Sequence, residues 1–438
     1  MIVKDKKNVG VEEYNPFEHR EVAKPNSDIR SFANLLKASL GSGLLAMPLA
    51  FTNSGWVVGL IGTFIIAVIC GHCVSIFVET SRGCCRLEQK PLLSYAETCA
   101  AAFSNGPKIF RPYAHFAKMF AEFSLLFTYI GVCCIFTVLI ATSIKQLLDT
   151  YVSSVILPVE YYCLILLIPL SLMVQIRHLK WLAPFSLMAN ILLFATFAIC
   201  LYYIFGEDIV IADKAPVGHW SRFPAFLSTV IFAMEGIGVV MPVENTMKKP
   251  QHFLGCPSVL VLAMTTVMVL YSILGLFGYF RYGDALRGTI TLNLPMDDWP
   301  AICAKIFISV SILLTYPLHY FVVIDIFTKY TEPHIKEKYR TITQVAARIF
   351  IVCFCGGVGI ALPYLEQIID LVGALFYSIL GLIIPGIVET VFRWEDLGKY
   401  NWVLYKNIII VAFGMLSLIS GSAVTIIDVI KLANNKTI

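Results

Sequence analysis

Long apolar runs, each close to the length of a bilayer crossing, recur from Ser31 almost to the end of the chain. A bilayer's hydrocarbon core is about 30 Å thick, and a helix needs about 20 apolar residues to cross it. Eleven runs meet that length, at approximately 31–53, 55–79, 113–145, 160–176, 183–205, 223–245, 256–280, 299–328, 342–362, 367–392 and 404–429. A soluble chain of 438 residues would divide into two or three domains, but 58% of these residues are hydrophobic and only 14% charged. Soluble proteins carry about 25% charged residues. The expected fold is therefore an all-α polytopic membrane protein. It comprises a tail at 1–30, a transmembrane domain at 31–430 and a short C-terminal tail at 431–438.

The connectors set the orientation. Basic residues in cytosolic loops should outnumber those outside. With the N-terminus inside, inward-facing segments hold 22 Lys and Arg, and outward-facing segments hold seven. Residues 1–30 stay polar, with no apolar core before a cleavage site, so they read as a mobile cytosolic tail and not as a signal peptide. Within the 82–111 connector, Leu92–Phe103 is too short to span and is expected to lie at the membrane surface. The net charge of +4 gives no indication of a nucleic-acid partner. Most of the 13 cysteines fall in apolar spans or cytosolic loops and read as small buried hydrophobes. Cys163 and Cys303, near outer helix ends, leave a disulfide open.

Two spans contain sequences that a continuous helix should avoid. In the first, Gly41-Ser42-Gly43 interrupts the apolar run and Pro48 follows. In the sixth, Phe232-Ala233-Met234-Glu235-Gly236-Ile237-Gly238 precedes Pro242. Glycine weakens a helix by about 1 kcal/mol and proline by about 3 kcal/mol. Freed backbone groups are tolerated in lipid only where protein or a polar cavity covers them. Close helix packing would explain the glycines alone. It explains less well why two helices at corresponding positions of two five-helix halves share this character, as an inverted-repeat transporter would. Broken ends offer N–H groups on one side and C=O groups on the other, which together can hold a zwitterion.

At these residues the sequence resembles the amino acid/auxin permease family, and its proton-coupled amino acid transporter branch in particular. The matching stretches are Leu35–Pro48, Phe232–Lys248 and Ile290–Pro295. The resemblance implies a fold like that of the bacterial leucine transporter, with two inverted five-helix repeats and one extra helix. It further implies sodium-independent transport of small neutral amino acids, coupled to protons in many members. Carried over, Gly41, Ser42, Gly43 and Leu44 would present N–H groups to the substrate carboxylate. Phe232, Ala233, Met234 and Glu235 would surround its ammonium, with Gly236 completing the break. Members commonly have a histidine three residues before the lysine that Lys37 matches. Here that residue is Asn34, which cannot titrate, so proton coupling stays open.

Charges in the spans supply the coupling candidates. Lys37 lies one turn before Gly41 and Glu235 sits at the second break, and an intramembrane charge is a functional candidate by default. Glu122, Asp325 and Asp370 read as helix–helix or interface contacts. His72 reads as a core histidine, because no third metal ligand lies at usable spacing. No metal or cofactor is expected. Nor is an enzyme: no glycine-rich loop ends in Lys-Ser/Thr, and no nucleophile is paired with a base. The leading expectation is a secondary transporter in the plasma or lysosomal membrane. The alternative is an amino acid sensor that keeps the transporter fold and signals to a cytosolic partner.

Overall fold

Each apolar run folds as a helix, because a helix satisfies its own backbone groups where no water is at hand. The computed structural model of the protein describes residues 14–20, 22, 25–151, 157–176, 179–206, 209, 211, 213–234 and 236–436. Among them, the only backbone pairing outside helices and turns that forms a β-bridge joins Asn26 to Met247.

The first span is two helices, α1 (Asp28–Ser39) and α2 (Ser42–Ser54), bent by 51°. α3 (Trp56–Glu88) follows after Gly55, whose φ of 78° turns the chain where a Cβ would meet Gly218 N at 2.6 Å. α4 (Tyr95–Asn105), α5 (Ala114–Tyr151), α6 (Val159–Met173) and α7 (Leu179–Phe205) complete the first half. The second half opens with α8 (Phe223–Ala233) and α9 (Ile237–Asn245), the two parts of the sixth span. α10 (Val259–Tyr282), α11 (Trp299–Thr331) and α12 (Arg340–Ala361) follow. The tenth span runs from α13 (Leu365–Val372) through π-helical turns at Gly373–Tyr377 and Ile379–Ile383 into α14 (Ile384–Phe392). α15 (Trp402–Lys436) is the extra helix.

Among the described residues, nine helices are long and apolar enough to cross a bilayer, and the α1–α2 pair makes a tenth. The eleventh expected span is α6, at 15 residues the shortest of the set. α2 lies between α8 and α10, while α5 and α7 both pack on α11. The broken helices are thus enclosed by the continuous ones. α15 packs against α8, α13 and α14 and turns Ile409, Leu416 and Ile419 outward.

Two segments outside the spans pack closely on the bundle. α4 is the first. It starts at a capping box between Ser94 and Glu97, buries Tyr95, Thr98 and Cys99, and packs on α3, α5 and α14. The N-terminal tail, expected to be mobile, contains a packed strap. Arg20 and Arg82 both pair with Glu244 at 3.0 Å, and both guanidiniums lie over the Phe17 ring. The Asn26 N–H donates to Thr246 O at 2.8 Å, and the Lys248 N–H donates to Asn26 O at 2.8 Å. The strap therefore ties the start of α1 to the end of α9. Residues 1–13 and the hairpin residues 177 and 178 lie outside the described residues. Cys163 and Cys303 are both free thiols.

Glu244 is 1% exposed between its two arginines, with Arg20 at 4%. Removing one partner from a buried ion pair leaves the other charge uncompensated, at a cost of about 3–5 kcal/mol. Thermal denaturation of purified Glu244→Gln should show a loss of that size. The exposed pair Lys90–Glu88 is the control, and Lys90→Ala should cost no more than about 1 kcal/mol.

Candidate functional site

The two breaks are built alike and face each other. At the first, α1 ends at Ser39, and Leu40 (φ −80°, ψ 62°) and Gly41 (φ −102°, ψ −147°) leave the helical region before α2 restarts at Ser42. The Gly41 N–H donates to Ser39 O at 2.9 Å. At the second, α8 ends at Ala233, Met234 caps it with its N–H on Val230 O at 2.8 Å, and α9 restarts after Gly236. Pro48 and Pro242 lie inside α2 and α9, several residues beyond the breaks they were expected to help form. Glu235 falls outside the described residues.

The glycines at the breaks have different reasons. A Cβ on Gly43 would stand 2.7 Å from the Ala233 Cα, so Gly43 is small because α2 rests directly on the end of α8. A Cβ on Gly236 would approach Ser39 Oγ to 3.2 Å, which is the reciprocal contact. A Cβ on Gly41 would meet nothing within 4 Å. Packing therefore accounts for Gly43 and leaves Gly41 beside open space.

Tyr271 of α10 joins the two breaks. Its hydroxyl, on a fully buried side chain, reaches the Ser39 carbonyl and also the Ala233 carbonyl at 2.8 Å. No break, repeat or charge in the sequence singles out this tyrosine; it is one hydroxyl in an apolar run. Ser42, Leu44, Phe232, Ala233 and Met234 are buried around the same point, and the Phe232 ring lies 5.6 Å from that of Tyr377. Helix starts leave N–H groups without an acceptor in their own helix, and helix ends leave carbonyls without a donor there; at α2 the Leu44 N–H turns back to Gly41 O, and at α9 the Val239 and Val240 N–H groups turn back to Gly236 O. Such an arrangement offers partial positive charge to an anion and partial negative charge to a cation a few ångströms away.

A cavity of about 20 Å³ adjoins the second break, bordered by Leu35, Cys70, Met234, Gly236, Met264 and Tyr377. A groove of about 340 Å³ lies between α3 and α10, with Phe64, Val68 and His72 along it. Phe64 and Val68 are more than half exposed, so that groove opens on the lipid-facing flank, apart from the breaks. Among the described residues no three His, Cys, Asp or Glu side chains come together as metal ligands.

The remaining intramembrane candidates separate. Lys37 is half-buried and Asn34 is exposed on the same helix. Glu122 pairs with Lys329 and accepts from Tyr330, Asp325 is exposed, and Asp370 is buried against the Thr229 hydroxyl of α8. The His319 ring packs 5.8 Å from Tyr129 and 5.1 Å from Phe136, and sequence reading passed over it.

The chain is 38% identical over 427 residues to the proton-coupled amino acid transporter-like protein pathetic of Drosophila melanogaster, covering 97% of this chain and 89% of that protein. It is 28% identical over 331 residues to vacuolar amino acid transporter 4 of Saccharomyces cerevisiae, covering 72% of this chain and 43% of the yeast protein. In fold it is similar to the inward-facing conformation of Mhp1, with a TM-score of 0.55 at 13% identity over 99% of this chain and 96% of that one. It is also similar to a substrate-bound, outward-open Na+-coupled sialic acid symporter, with a TM-score of 0.51 at 12% identity over 95% and 92% of the two chains. These likenesses bear on the fold alone, and the fold is the leucine transporter-like one expected from the sequence. Residues 24–427 match the model of the transmembrane amino acid transporter proteins, and the chain belongs to that family.

Proposed function

We propose that the protein carries small neutral amino acids across its membrane by alternating access, holding each zwitterion between the two breaks. The observation that carries this reading is the direct contact of Gly43 with Ala233, which brings the start of α2 and the end of α8 to one buried point. The substrate carboxylate would lie on the N–H groups of Ser42 and Gly43, with Gly41 and Leu44 flanking them, since the Gly41 and Leu44 N–H groups are already donated to Ser39 O and Gly41 O. Its ammonium would lie near the carbonyls of Phe232, Met234 and Glu235, since the Ala233 carbonyl is already engaged by Tyr271. The side chains beside the second break, Leu35, Met234, Met264 and Tyr377 among them, carry no charge, which supports an uncharged substrate side chain.

The finer points rest on the sequence and on the names of relatives. The excess of basic residues supports a cytosolic N-terminus. The Drosophila relative's name supports proton coupling and the yeast relative's name an internal membrane, with the plasma membrane the other candidate. Glu235 and Lys37 are the proton carriers to test, because Asn34 cannot titrate. Sodium independence follows from the resemblance. Net flux separates this reading from a sensor: uptake of labelled glycine, alanine and proline into proteoliposomes should be measured with and without an inward proton gradient. A sensor would bind label and not accumulate it. A response to the gradient that disappears in Glu235→Gln would assign coupling to that carboxyl.

Gly41 and Gly43 test the cradle separately. Gly41→Val should keep wild-type thermal stability, because its side chain enters open space, and lose uptake by about tenfold or more by filling the space beside the cradle, a loss of about 1.4 kcal/mol of binding. Wild-type uptake in that variant would remove Gly41 from the site. Gly43→Ala should instead lose about 1–3 kcal/mol of stability through overpacking on Ala233.

Met234 tests selectivity. Tryptophan there should exclude leucine before glycine, and alanine should admit bulkier substrates, with shifts of roughly 10–200-fold between substrates. Equal loss for glycine, proline, leucine and tryptophan would show that Met234 does not line the site.

A further inference from the structure

The carbonyls of Ser39 and Ala233 close α1 and α8, two helices that reach the breaks from opposite faces of the bundle. Each stands at the negative end of a helix dipole. Two such ends aimed at one another, away from water, repel unless something of positive character lies between them. In transporters with helices broken in mid-membrane, unwound carbonyls and helix C-terminal ends can coordinate sodium in this way. Here the point between the two oxygens holds the Tyr271 hydroxyl. It has one proton to donate, and Ser39 O accepts a second bond from the Gly41 N–H. The Gly41 N–H serves Ser39 O and the single hydroxyl proton is left for Ala233 O, so the two donors together supply the positive character that the helix ends need, and the hydroxyl is delivered by α10, which packs along both α1 and α2.

We infer that Tyr271 frees this site from any need for a metal cation: its hydroxyl occupies the point at which a sodium-sized ion would sit and bridges the two breaks in its place. The inference deepens the transport reading by naming the residue that sets ion dependence. Shortening that side chain should recreate a cation site. Asparagine stops short of the point and turns an amide oxygen toward it. Phenylalanine removes the hydroxyl but leaves its ring in the space.

The test compares wild type, Tyr271→Asn and Tyr271→Phe in sodium, lithium and choline chloride at equal ionic strength. It reads the melting temperature of purified protein and amino acid uptake into proteoliposomes. Wild type should be indifferent to the salt in both measurements. Tyr271→Asn should melt lower than wild type in choline, recover saturably with sodium, and take up substrate about 5–150-fold faster in sodium than in choline, the usual span of coupled binding. Tyr271→Phe should melt low in every salt and respond to none. Sodium-dependent melting of wild type, a folded Tyr271→Asn blind to sodium, or wild-type stability and uptake in Tyr271→Phe would each overturn the inference. Wild type that takes up no amino acid in any salt would refute the transport reading, while the melting measurements would still decide the role of Tyr271.

Discussion

Hydrocarbon offers no hydrogen bond to a peptide group, so a helix that stops in mid-membrane must find its partners in the protein. This chain stops twice, at Leu40-Gly41 and after Met234, and the breaks cover each other. Gly43 rests on the Ala233 backbone, Gly236 lies against Ser39 Oγ, and the Tyr271 hydroxyl reaches a carbonyl from each side. Either break alone would leave buried donors and acceptors costing about 1–3 kcal/mol apiece. The surrounding helices follow from that need. α10 backs both halves of the first span, and α5, α7 and α11 form a continuous scaffold outside the broken core.

The same arrangement leaves two short end segments tied to one another. α1 and α9 are short, at 12 and 9 residues, and each is joined to its other half only through a break. The strap at their far ends ties them together through Asn26 with Thr246 and Lys248, and through Arg20 with Glu244. The face that carries the N-terminus is held by charge and backbone pairing, while the centre is held by glycine contacts and one hydroxyl.

Much of this was legible in the sequence because hydropathy and helix breakers are local signals. The spans, the paired breaks and the buried cluster from Ser42 to Leu44 and Phe232 to Met234 can all be read from a few neighbouring residues. Other features depend on partners distant in the chain. Arg20 and Glu244 are 224 positions apart, and Tyr271 and Ser39 are 232 apart. A tyrosine in an apolar run looks the same whether it faces lipid or bridges two helix ends. Gly43 illustrates the opposite problem. Its place in the break was evident, but whether a ligand or the Ala233 backbone required its smallness could be decided only from the contact distance. Pro48 and Pro242 follow the breaks and lie inside α2 and α9, because a membrane helix tolerates proline where its neighbours re-satisfy the freed carbonyl.

The central claim is that the two breaks together form the amino acid site. The most direct measurement is an experimental structure of the protein determined with saturating alanine. The alanine carboxylate should lie within hydrogen-bonding distance of the Ser42 and Gly43 N–H groups, with the ammonium against the carbonyls of Phe232 and Met234. Alanine bound instead in the groove between α3 and α10, with Gly43 still closed on Ala233, would contradict it.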